Sequence, residues 1–339
     1  MSRSVEWSLI ERNLVSTTLA IVLLSACSPY VYKPEITSFT NGIDAIVSVH
    51  QTGEQAIATQ IAQQQRAAHV AAKDRLNLLP GCDSVDPRGN PPKLEDCAVV
   101  KFADTQASPP TQVQVHLAND EPLFAALKAY AAALVAVSNA ADSTTLTQAT
   151  QGLTAATGGL DGAVAKLAPT VPSNALVTSA GGLLGQGISL YLDSRRYAVL
   201  RTIVPAMDHS IVTLGKTVEA DLRLIRAHQI AQLQKGLHAD VAPLQAETVS
   251  TLDRSDYQTK LAALQTKVAV FNQARAADPR EIVNAMVNAH HQLAEALQSN
   301  SGQIVPILTA VTSFSTAADQ MKAAVDAAAG ATGTVAATK

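Results

Sequence analysis

The sequence predicts an all-α fold: an elongated antiparallel bundle of long alanine-rich helices with a proline-rich loop insertion. Three observations lead there. Apolar residues recur in steps of three and four over several long stretches. Hydrophobic residues make up 47% of the 339 residues while aromatics make up only 4%, so alanine supplies much of the apolar surface. Six of the 15 prolines fall between Pro80 and Pro110, which removes that region from any regular helix.

Composition also excludes some functions. The net charge is -3 and charged residues are 16%, so no global basic field exists to hold nucleic acid. The scarcity of aromatics removes the stacking platforms of single-strand binders.

The chain opens with Arg3 and Arg12, followed by an apolar run from Leu14 to Ala26. Thirteen helical residues reach roughly 20 Å, short of a bilayer core of about 30 Å. A charged start followed by a short apolar stretch is the pattern of a secretory signal. The run ends Leu24-Ser25-Ala26-Cys27, an aliphatic residue and two small ones before a cysteine. This resembles the lipobox of bacterial lipoproteins. The resemblance implies that residues 1–26 are removed and that Cys27 is diacylated as the mature N-terminus. It also implies a lipidated linker over 27–34. Ser28, in place of the aspartate that marks inner-membrane retention, implies the periplasmic side of the outer membrane. More than one acyl chain gives stable anchoring.

The helical domain is expected over 35–326, with the insertion at 80–118 and a fraying Ala/Gly/Thr tail at 327–339. Its first long helix is expected over Ile36–Leu79. Cys82 and Cys97 lie in the insertion. In an oxidising periplasm such a pair is most simply a disulfide that staples the loop, worth roughly 3 kcal/mol. Free thiols are the alternative, and a metal centre would need two further ligands nearby. Gln112 to Leu117 alternates polar and apolar, which reads as a short strand. Ala98 to Phe102 is its natural hairpin partner.

Asn119-Asp120-Glu121-Pro122 then reads as the start of a helix carrying Leu123, Leu127, Tyr130, Leu134 and Val137. Tyr257, Leu261, Leu264, Val268 and Phe271 form a second stripe. Asp278-Pro279 opens a helix over Ile282 to Leu297. Ile304, Leu308, Val311, Phe314, Ala318, Met321 and Val325 form a last stripe. Steps of three and four suit coiled-coil-like packing. Alanine-rich interfaces bury little per residue, so such a bundle must be long or oligomeric.

No charged residue occurs from Leu167 to Leu192. Within Ala175–Leu192, Gly181, Gly185 and Ser189 repeat every four residues and let two backbones approach closely. The segment is either a tightly packed internal helix or one that inserts into a membrane, as in helical pore-forming toxins.

Catalytic motifs fail on inspection. Gly185 to Leu190 lacks the last glycine of a dinucleotide loop. Ser210 to Thr217 ends like a phosphate loop but lacks its first glycine. His291 and Glu295, four apart, share one helix face as half a metal site or an exposed polar pair. No catalytic residue, metal or cofactor is expected. The expected role is a non-enzymatic, lipid-anchored scaffold of the cell envelope. Its partners would be the membrane, through the anchor, and a protein or a second copy of the chain. Membrane activity through 175–192 is the alternative.

Overall fold

The computed structural model describes residues 32–73, 76–77, 101–102, 110–167, 192–246, 253–299 and 304–333. Among these the fold is all-α. Seven helices run in order: α1 (Lys33–Ala72), α2 (Gln112–Asn139), α3 (Ser143–Leu167), α4 (Leu192–Ala246), α5 (Arg254–Ala276), α6 (Pro279–Ser299) and α7 (Ile304–Gly333). Between α1 and α2, a two-residue strand β1 (Leu76–Asn77) pairs antiparallel with β2 (Lys101–Phe102), Leu76 opposite Phe102.

Local chemistry sets the helix boundaries. Pro34 and Glu35 suit the first turn of α1. The chain leaves α1 at Lys73, whose φ of 54° is a left-handed turn-off. This is well short of Leu79. Asp142 and Thr145 form a reciprocal box at the start of α3: Asp142 Oδ1 accepts from Thr145 N at 2.8 Å, and Thr145 Oγ1 accepts from Asp142 N at 3.0 Å. Asp278 Oδ1 accepts from Arg280 N at 3.0 Å, so the expected start of α6 at Pro279 holds.

Further expectations are corrected. Gln112–Leu117 is the first turn and a half of α2, not a strand. Thr111 and Gln114 cap it, with Thr111 N donating to Gln114 Oε1 at 2.9 Å. Val113 and Leu117, four apart, pack on one core, while Val115 is exposed. Three alternating apolar residues contain an i,i+4 pair, so the pattern serves either structure. Accordingly Pro122 sits inside α2 rather than at its start. The tail does not fray at Ala327, because α7 continues to Gly333 and Ala328 is fully buried.

The chain divides into two compact units. Unit 1 comprises residues up to Val49, Glu121–Arg223 and Asn272–Ala324. Its core takes Ile36, Phe39 and Ile43 from α1, the whole predicted α2 stripe, and Leu146, Leu153 and Leu160 from α3. α4, α6 and α7 complete it with Met207, Ile211 and Leu214, with Met286 and Leu293, and with Val311 and Phe314. The α7 stripe begins at Ile307, with Leu308 turned to solvent. Gly42 is a contact glycine, since a Cβ there would stand 2.5 Å from Phe314 Cε1. Tyr32 and Tyr197 donate to the α6 carbonyls of Ala296 and Leu297 at 3.5 and 2.7 Å. The buried Arg196 Nε donates to Ala140 O at 3.0 Å, just past the end of α2.

Unit 2 comprises His50–Asp120, Leu224–Phe271 and the residues from Val325. Its core is smaller, built on Ile57, Leu117 and Ile225. α5 is mostly exposed, and Ala274, just past this unit, is its single buried residue.

Candidate functional site

Among the described residues, the most developed polar constellation lies in unit 1, where α2, α4 and α6 meet around one buried imidazole. The α6 stripe of Ile282, Met286, Ala289, Leu293 and Leu297 places the next residue, His290, fully inside. The α2 stripe does the same for Tyr130, which is also fully buried. Tyr130 Oη and His290 Nε2 are 2.9 Å apart. His290 Nδ1 is 3.0 Å from Asp208 Oδ1 on α4. The other carboxylate oxygen, Oδ2, is 2.8 Å from Nδ1 of His291. His291 Nε2 is 3.3 Å from Glu295 Oε1. The chain of contacts thus runs from an exposed carboxylate to a phenol in the core.

Proton positions follow from the partners. Asp208 is a carboxylate and accepts, so His290 carries its proton on Nδ1. Nε2 is then the acceptor for the Tyr130 hydroxyl. Burial, with the charges of Asp208 and Asp161 added, pushes the Tyr130 phenol far above its ordinary value and keeps it a donor. For Asp208, partial burial works to raise the pKa. Hydrogen bonds from His290 and His291, with the charge of His291 added, outweigh it and hold the carboxyl below its ordinary value. The hydrogen bond to Asp208 raises the pKa of His291, with the charges of Asp208 and Glu295 adding to it and burial opposing.

Aromatic packing fixes the imidazole. The Phe39 and Tyr130 rings lie 5.8 and 5.9 Å from His290, both tilted. Beside it, Ser210 Oγ donates to Asp161 Oδ1 at 2.6 Å. The arrangement can orient and share protons along a buried line. Tyr130 and His290 are fully covered, and the line ties three helices together.

Of the residues singled out from sequence, His291 and Glu295 do meet as an exposed i,i+4 pair. The phosphate-loop-like stretch Ser210–Thr217 is continuous helix within α4. Cys27, Cys82, Cys97, Gly181, Gly185 and Ser189 lie outside the described residues, as does 175–191. Sequence reasoning missed Tyr130 and Asp208 as partners of the histidines. Tyr130 sat in a recognised core stripe, and its hydroxyl was the available signal, because a buried phenol needs an acceptor.

Among the described residues, α2 is the one helix long and apolar enough to cross a membrane. Its apolar stripe from Leu123 to Val137 is buried in unit 1.

The chain matches no protein-family model, no curated protein and no solved structure, so what the site can do rests on its own geometry.

Proposed function

We propose that the protein is a lipid-anchored, non-enzymatic helical scaffold of the bacterial cell envelope. It is tethered through Cys27 on the periplasmic side of the outer membrane. It acts by presenting a helix face to a protein partner, and its antiparallel helices carry the insertion that precedes α2 as a loop stapled by Cys82 and Cys97. The sequence Leu24-Ser25-Ala26-Cys27 supports the tether.

One observation carries the helix–helix mechanism. Tyr257, Leu261, Leu264, Val268 and Phe271 on α5 step by four and three, as a coiled-coil seam does. Leu264 and Phe271 are half-buried, yet Tyr257, Leu261 and Val268 are 40%, 36% and 40% exposed. In α3 and α7, stripes of the same period are buried. A regular seam left partly open is the pattern of a helix that completes its packing with another chain.

A photo-crosslinking residue at Leu261, in the full chain expressed in its own cell envelope, tests the reading. A discrete adduct with one protein, lost when Cys27→Ser releases the chain from the membrane fraction, is the expected result. A chain that stays membrane-bound and yields no adduct from Leu261 or Val268 sinks it.

A further inference from the structure

The exposed end of the histidine line in unit 1 carries chemistry beyond tying helices together. His291 and Glu295 lie four apart on α6, and their side chains are 49% and 59% exposed, so a dissolved ion can reach both. Nδ1 of His291 faces Asp208 Oδ2 at 2.8 Å and carries the proton of that contact. The lone pair of the neutral ring is therefore on Nε2, the nitrogen that faces Glu295. Nε2 stands 3.3 Å from Glu295 Oε1.

Separation and surroundings both suit a bound cation. Two ligand atoms on a tetrahedral ion with bonds of about 2.0–2.1 Å stand about 3.3–3.4 Å apart. An i,i+4 pair on one helix face is the spacing by which a helix offers two ligands to one zinc ion. Each ligand is also held from behind. Asp208 accepts from His291 Nδ1, the arrangement that fixes the tautomer of a metal-bound imidazole and makes it a better donor to the ion. Gln292 Nε2 donates to Glu295 Oε2 at 3.3 Å, which leaves Oε1 as the oxygen turned to the imidazole. Asp208 is not itself a ligand, because its two oxygens are engaged by His290 and His291.

We propose that His291 Nε2 and Glu295 Oε1 bind a divalent transition-metal ion of the zinc type, with Asp208 as the residue that positions the imidazole. One imidazole and one carboxylate favour Zn²⁺ or Cu²⁺ over Mg²⁺, which takes oxygen ligands and gives up its water reluctantly. A structural zinc site closes with four protein ligands. Two leave the remaining positions to water, so this ion exchanges with solvent and is not part of the fold. The site lies on α6 and is independent of the α5 seam, so this inference and the scaffold reading stand or fall separately.

The test titrates the full chain with Zn²⁺ by isothermal calorimetry at about pH 8, above the ordinary imidazole range. A saturable site is expected, weakened about tenfold or more by His291→Gln or by Glu295→Gln, and not displaced by Mg²⁺. Both side chains are exposed, so these variants keep the fold, which circular dichroism and the thermal midpoint verify. Asp208→Asn should weaken binding by about 10–100-fold. Cu²⁺ then separates positioning from packing. Electron spin-echo modulation of the Cu²⁺-loaded chain should show a coordinated imidazole that His291→Gln removes. Asp208→Asn should shift that signal, because the remote ring nitrogen carries the hydrogen bond to the carboxylate. No binding heat and no imidazole signal at millimolar metal overturn the proposal. So does binding that His291→Gln leaves intact, which places the ion on other histidines. Binding that Glu295→Gln leaves intact, or an imidazole signal that Asp208→Asn does not move, overturns it as well.

Discussion

His290 has no solvent-exposed surface, yet its Nδ1 stands 3.0 Å from Asp208 Oδ1, a carboxylate 82 residues away in sequence. The contact ties α6 to α4, and the Tyr130 hydroxyl on the far side of the same ring ties both to α2.

Removing that hydroxyl tests how much the line contributes. Tyr130→Phe keeps the ring and its packing but leaves His290 Nε2 buried without a donor. A loss of about 1–3 kcal/mol is expected. Urea denaturation read by far-UV circular dichroism measures it, and an unchanged midpoint would mean that Tyr130 acts by packing alone.

The same line gives stability a pH dependence with two limbs. The raised His291 pKa contributes stability that is complete below its unfolded value near 6.5 and is lost as pH rises through the folded value. The lowered Asp208 pKa contributes stability present above about 3.9 and lost as pH falls through its folded value. Urea midpoints from about pH 3 to 9 should therefore peak on the mildly acidic side of neutrality as far as these groups decide. His291→Gln should remove the alkaline limb and weaken the acid limb, because His291 helps to hold the Asp208 carboxyl down, whereas Asp208→Asn should remove both. A variant profile parallel to the wild type would show that these groups do not titrate as a unit.

Glycines of two kinds should respond oppositely to alanine. Gly42→Ala drives a Cβ into the Phe314 ring and should cost about 1–3 kcal/mol. Gly158→Ala and Gly162→Ala on α3 meet nothing within 4 Å and should each stabilise by roughly 0.5–1 kcal/mol through helix propensity. Thermal midpoints of the three variants decide it, and destabilisation by Gly158→Ala would indicate a partner surface over α3.

The open seam makes a further contrast. Leu214, fully buried on α4, should lose about 2–5 kcal/mol on truncation to alanine. Leu261, 36% exposed, should lose less than about 1 kcal/mol by the same change. Equal losses in the isolated chain would place Leu261 in the core and remove the main support for an open seam.

Legibility followed the range of each cause. Local causes could be read directly. Asp278 and Pro279 mark the start of α6 within two residues, and the α2 stripe from Leu123 to Val137 names its own buried face. Where two structures share a pattern, the sequence was ambiguous. Gln112–Leu117 alternates like a strand, but Thr111 and Gln114 cap it as a helix and Leu117 finds Ile57 and Ile225. The histidine site was half legible. The His291–Glu295 pair follows from helical spacing, while Asp208 and Tyr130 come from other helices.

By itself, then, the sequence determined the all-α class, the buried face of α2 and most of that of α7. Those follow from a 3.6-residue repeat and from capping chemistry within a few residues. Tertiary structure decided which hidden faces found cover. The α3 and α5 stripes have the same period, yet Leu146 to Val164 is buried while Tyr257, Leu261 and Val268 stay open. Periodicity records that a face is apolar, but burial depends on a neighbour arriving from elsewhere in the chain. The same reason put Asp208 beside two histidines that only folding could bring to it.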